Sequence, residues 1–83
     1  MSGNQPAKRT LKPVRLMQAH ELLSQQRPAS EAGPAVWVAY YRRSAAVYAE
    51  VAEIDRGHHH EALYWSSRED RKAREIEAQL RES

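Results

Sequence analysis

Between residues 34 and 55 apolar side chains return with the period of a helix and nearly surround it. Projected at about 100° per residue, Val36, Trp37, Val38, Tyr40, Tyr41, Val47, Tyr48, Val51 and Ile54, joined by Ala45 and Ala52, cover more than half of the circumference. Arg42, Arg43, Ala46, Glu50 and Glu53 share the remaining arc. An apolar arc of that width has to meet two neighbours, which makes this segment the central helix of whatever the chain builds.

The neighbours are weaker versions of the same pattern. After Pro13, which suits the first turn of a helix because its missing N–H removes nothing there, Leu16, His20 and Leu23 recur at helical spacing with Met17 and Ala19 beside them. This short helix, about residues 13–27, has to stop before Pro28, because a proline keeps the preceding residue out of the helical region. Ser30 and Gly33 offer caps in the linker that follows, and Pro34 fits the first position of the next helix. Beyond Gly57 the stripe narrows: His58, Ala62, Trp65, Ala73, Ile76 and Leu80 align, interrupted by Glu69, in a helix of about residues 58–81. The rest of that helix is charged, with Asp70/Arg74, Arg71/Glu75 and Glu77/Arg81 at the spacing that supports a solvated face. Ser66 and Ser67, each followed three residues later by an acid, resemble capping boxes and offer a break.

No stretch alternates as a strand does, so the expected fold class is all-α. The favoured arrangement is an antiparallel helical hairpin, about 34–55 and 58–81, with the short N-terminal helix of about 13–27 packed on it. Gly57 then supplies the left-handed conformation that ends the first long helix. The competing arrangement is one continuous rod through Gly57, since a helical glycine costs only about 1 kcal/mol relative to alanine.

Composition changes this picture in three ways. Residues 1–12 are polar, contain Gly3, Asn4 and Pro6 and show no periodicity, which reads as a disordered basic tail ahead of a single small helical domain over 13–83. The net charge of +2 is also uneven: Lys8, Arg9, Lys12 and Arg15 lie in the first fifteen residues without an acid, leaving the remainder slightly acidic. With no cysteine, disulfides, thiolate metal sites and a cysteine nucleophile are excluded. A chain of 83 residues without such a staple is short of buried apolar area and gains most from association. The sequence contains neither a membrane-length apolar run nor an apolar secretory core near its start, so the expected location is the cytoplasm.

The histidine run is the first chemical candidate. Neighbours on a helix point about 100° apart, so His58, His59 and His60 cannot all hold one ion. The feasible pairs are Asp55/His58, Asp55/His59 and His58/Glu61, each giving two ligands where zinc takes three or four. The plainer reading packs His58 beside Trp65 and Ala62 and leaves His59 and His60 to solvent or to capping the turn. At a helix N-terminus the positive dipole end favours the neutral imidazole, with sensitivity to pH below about 6. The second candidate, Tyr40-Tyr41-Arg42-Arg43, mixes rings and cations as single-strand nucleic-acid sites do, but the projection puts the rings inside the apolar arc and the arginines outside it. Together with Lys8, Arg9 and Lys12 these arginines form the nucleic-acid alternative. Glu50, Glu53, Asp55, His58 and Glu61 concentrate acid–base groups near one turn, yet neither a phosphate loop nor a nucleophile–base spacing accompanies them, and so short a chain has difficulty enclosing a dry pocket.

Residues 37–65, centred on YYRRSAAVYAEVAEIDRGHHHEALYW, resemble a family of short actinobacterial proteins without an assigned function. The resemblance is carried most specifically by EIDRGHHHE. It implies a bacterial, cytoplasmic setting and transfers neither activity nor ligand nor site residue.

The expected function follows from unmatched apolar area. Two partners within so short a chain cannot cover the central helix, and large exposed patches mark interaction sites. Trp37, Tyr40, Tyr41, Val47, Tyr48, Val51, Ile54 and Trp65 are the candidate interface of a non-enzymatic module that binds itself, as a homodimer, or another protein, with no cofactor. The alternatives are a small nucleic-acid-associated factor and a histidine-based metal or small-ligand binder through Asp55, His58, His59 and Glu61.

Overall fold

The computed structural model describes residues 14–82, and the described residues form helices and no strand. The chain is all-α. Helix α1 runs over Leu16–Gln25, α2 over Pro34–Ile54 and α3 over His59–Glu82, with a single 3-10 turn, Arg56–His58, between the last two. The proposed basic tail lies outside the described residues, as does Pro13.

The start of α2 follows local chemistry: Gly33 is its N-cap and Pro34 its first residue. Helix α1 begins later than periodicity suggests, because Arg15 is extended (φ −125°, ψ 152°) and a distant side chain caps the first helical N–H. It ends at Gln25, two residues before Arg27-Pro28, with Gln26 as its C-cap. The two serines do not break α3. Ser66 Oγ donates to the Ala45 carbonyl across the helix pair, 2.8 Å away, and the helix runs straight through.

Gly57 does not act as expected. Its backbone is not in the left-handed region, and a Cβ placed on it would meet nothing within 4 Å. The chain leaves α2 at Asp55 instead (φ −93°, ψ 77°) and turns through Arg56–His58, with His58 N–H bonded to the Asp55 carbonyl at 2.9 Å. Side chains from the turn and from the residue after it cap the end of α2. His59 Nδ1 donates to the Ala52 carbonyl at 2.7 Å and Arg56 Nη1 to the same oxygen at 3.3 Å. Cationic and imidazole donors at a helix C-terminus replace the glycine cap.

Side chains of α2 and α3 meet across the two helices. Arg42 on α2 reaches Asp70 (2.8 Å) and Glu77 on α3, which places both acids beside the first half of α2. The core lies where all three helices meet: Leu16, Ala19 and Leu23 of α1 enter between Tyr48, Val51 and Ala52 of α2 and Ala62 of α3, with Val47 and Trp65 closing the sides. Small residues along the seam, Ala45, Ala52, Ala62 and Ala73, let the two long helices approach closely. Glu69, the apparent break in the α3 stripe, stays on that stripe and is 6% exposed, paired at 2.6 Å with Arg68. Ser44 on α2 is fully buried, and its hydroxyl has no hydrogen-bond partner among the described residues.

Candidate functional site

Two parts of the molecule concentrate functional side chains, one at each end of the α2/α3 pair. At the turn end, the start of α1 lies over the end of α2. Asp55 Oδ2 accepts the Leu16 N–H at 3.0 Å and His58 Nδ1 at 2.9 Å, with the aspartate side chain 11% exposed. The Leu16 amide, followed by the His58 contact, holds the Asp55 carboxyl below its ordinary 3.8. An ionised carboxylate only accepts, so His58 Nδ1 carries the proton of that bond. Asp55 thus adds, from 39 residues away, a cap on the Leu16 N–H to the local one in which Gln18 Oε1 accepts the Arg15 N–H at 3.1 Å and the Val14 N–H at 3.0 Å.

His58 is thereby taken away from the place the sequence suggests for it. It does not pack on Trp65; His20 does, with its ring 5.0 Å from Trp65 edge-on and 5.3 Å from Tyr48. His20 Nδ1 and the Tyr48 hydroxyl are 2.7 Å apart. Burial, reinforced by the charge of Glu69, pushes the Tyr48 hydroxyl up to about 12, so it stays protonated throughout the neutral range. His59 is spent on the Ala52 carbonyl and His60 is exposed.

Between α1 and the first turns of α3 an open cleft of about 360 Å³ is lined by Arg15, Met17, His20, Asp55, His58 and Glu61. Of the metal candidates, Asp55 and His58 meet as a hydrogen-bonded pair and His59 turns to the Ala52 carbonyl. Glu61 joins them only as part of the cleft wall. Among the described residues no group of three or more potential ligands converges. Sequence reasoning placed His20 on the stripe of α1 but could not assign it a partner, because Tyr48 and Trp65 come to it only through the packing of α1.

The far end, where α2 begins, is aromatic. Trp37, Tyr40 and Tyr41 touch one another, with centroids 5.7 Å, 5.6 Å and 5.5 Å apart. Tyr40 is buried and its hydroxyl donates to the Leu23 carbonyl at 2.9 Å, closing the C-terminal end of α1. Arg27 lies over the Trp37 ring at 5.1 Å and Arg43 over Tyr40 at 5.8 Å. Trp37 and Tyr41 remain half-buried, next to Val36, which is 51% exposed. Leu80 of α3, 46% exposed, follows one turn after Glu77, the partner of Arg42.

The eight candidate interface residues thus divide. Tyr40, Tyr48 and Val51 are buried within the chain, while Val47 and Trp65 flank the core. Trp37 and Tyr41 keep surface at the aromatic end, and Ile54 is exposed at the turn end with Val14, Met17, Leu63 and Tyr64. Of the nucleic-acid candidates, Arg42 is held by two acids and Arg43 by a ring, whereas Lys8, Arg9 and Lys12 lie outside the described residues. No helix among the described residues is long and apolar enough to cross a membrane. No family model, curated protein or solved structure matches the chain.

Proposed function

We propose that the protein is a non-enzymatic helical interaction module of the bacterial cytoplasm that works as a homodimer, and that its contact surface is the aromatic end of α2. The unit that performs this is the antiparallel pair of α2 and α3 with α1 laid against it. One observation carries the reading: Trp37 and Tyr41, in ring contact with each other, keep accessible surface at the start of α2, where Val36 is also exposed. Clustered Trp and Tyr side chains that supply rigid apolar area are the usual anchors of an interface. The apolar residues of the turn end make a poorer patch, since they are spread over three helices and interleaved with Arg15, Glu53, Arg56, His58 and Glu61. The size of the chain points the same way, because a single small core without a disulfide gains stability from a second copy.

The nucleic-acid alternative has less to draw on, because using Arg42 would strip two acids of their partner. Its sign would be salt-dependent retention on DNA. A metal or small-ligand function would appear as a rise in melting temperature on adding the ligand.

Sedimentation velocity at tens of micromolar tests the homodimer. A dimer is expected, with Val36→Lys weakening self-association at least about tenfold while leaving helicity intact, a loss on the order of 1.4 kcal/mol. Met17→Lys, at a side chain 77% exposed on the opposite end, is the control and should leave association unchanged. A monomer with a cooperative melt removes the reading.

A further inference from the structure

We propose that α1 is an exchangeable arm: in the homodimer the α1 of each copy seats in the groove between α2 and α3 of the other. This deepens the homodimer reading and rests on it.

The groove recognises α1 at three points, and none of them depends on the linker that follows. At one end Asp55 accepts the first helical N–H, from Leu16; at the other Tyr40 donates to the Leu23 carbonyl. Between them Leu16, Ala19 and Leu23 fill the space against Tyr48, Val51, Ala52 and Ala62, and His20 meets Tyr48 and Trp65. A helix of this spacing is read by its N–H end, its C=O end and its apolar stripe together, so the seat fits the same helix whichever copy supplies it.

Helix α1 brings little of its own to helicity. It has ten residues, no acid in its first turn and no base in its last, and its local capping rests on one side chain, Gln18, which accepts the Val14 and Arg15 N–H groups. A helix that short is marginal in water and forms when it is seated. It therefore behaves as a docked segment, free to fold in either groove.

The connection permits the crossing. Residues 26–33 separate α1 from α2, and the reversal that folds α1 back includes a turn closed by Ala32 N–H to the Ala29 carbonyl at 2.9 Å. Pro28 keeps Arg27 out of the helical region, and extending these residues gives up the turn bond and the contact of Arg27 with the Trp37 ring of its own copy. Fully extended, eight residues reach about 28 Å.

Exchange re-forms the same α1 contacts and is close to neutral by itself. Against it stands the tether, which holds α1 at an effective concentration of order millimolar over its own groove. What offsets the tether is new contact at the crossing point. Extending residues 26–33 brings two copies together at the start of α2, where Val36, Trp37 and Tyr41 retain exposed surface. The aromatic end and the exchanging arm are thus parts of one interface.

The test uses the full chain, one half uniformly 13C-labelled and the other unlabelled, mixed through mild denaturation and refolded. Isotope-filtered NOE spectra are then recorded on the dimer. Exchange predicts intermolecular NOEs from Leu16, Ala19 and Leu23 to Val51 and the Tyr48 ring. A dimer in which these NOEs are purely intramolecular overturns the exchange and leaves the homodimer standing. A monomer overturns both. A second variant, with residues 26–32 deleted, leaves only Gly33 between α1 and α2, a span of at most about 7.6 Å that cannot cross the roughly 8–10 Å between packed helices, so α1 cannot fold back. Its dimer should be at least about tenfold tighter with helix content unchanged, whereas a monomer with undiminished helicity would again overturn the exchange.

Discussion

Gly57 occupies the place where a reversing chain ordinarily uses a left-handed glycine, and it is not used that way. Its φ is not positive and a methyl group would meet nothing, so Gly57→Ala removes unfolded-state freedom at no steric cost. Chemical denaturation should show the variant more stable by about 0.4–1 kcal/mol, whereas a left-handed position would make it less stable. Tyr48 is the residue whose surroundings change its chemistry most. Its hydroxyl is raised from 10.0 to about 12 because burial, and then Glu69, disfavour the phenolate. The folded state prefers the protonated form, so this stabilisation is complete below the unfolded value of 10.0 and is lost as pH rises through about 12. Spectrophotometric titration should place one tyrosine near 12, and Tyr48→Phe should remove it. The same substitution breaks the contact with His20 at a cost of about 1 kcal/mol. Neither property was legible in the residue itself. Tyr48 reads from sequence as one more ring on a wide apolar arc, and its partner His20 lies 28 residues away.

At the scale of elements, the three helices differ in where their ends are encoded. The start of α2 is written locally in Gly33-Pro34, and its identification needed no tertiary information. The start of α1 is written partly in Gln18, which accepts the Arg15 N–H, and partly in Asp55, on another element. Asp55 is held below its ordinary 3.8, so the sign of its pH dependence is the reverse of that of Tyr48. Its stabilisation is present above the unfolded aspartate value of about 3.9 and is lost as pH falls through the lower folded value. Hydrogen exchange and circular dichroism on acidification should show α1 loosening before the α2/α3 pair. Asp55→Ala should reproduce that loosening at neutral pH, with faster exchange at the Leu16 amide and a lower melting temperature. Retention of wild-type protection in α1 would show that Asp55 is not its cap. The stripe of α3 was legible in period but misleading in polarity. Glu69 reads as an interruption, yet the helix cannot rotate it away without also withdrawing Ala62 and Ala73, so it is carried into the seam at 6% exposure.

Among the described residues the two ends of the helix pair differ in kind. At the turn end the polar groups are occupied with one another, in the Asp55–His58 pair and the capped Ala52 carbonyl. At the other end aromatic surface is left over. The Arg42 pairs with Asp70 and Glu77 cross between the long helices, but Arg42 is 44% exposed and solvent screens them. Arg42→Ala should therefore cost less than about 1 kcal/mol in a denaturant melt. A larger loss would mean that this cross-helix network, and not the alanine seam, holds α2 to α3.

The sequence by itself determined that the chain is helical, where its helices lie to within a few residues, and that the central helix carries more apolar surface than a single neighbour covers. These are properties of period, proline position and capping residue, all local along the chain. The tertiary structure alone decided which histidine meets the aromatic rings, how α1 is capped, why the chain turns without a left-handed glycine, and which members of the apolar arc stay accessible. Each of these depends on groups brought together from distant positions, such as Asp55 with Leu16, Tyr40 with Leu23 and His20 with Trp65. Periodicity can place a residue on a face, but packing chooses what that face meets.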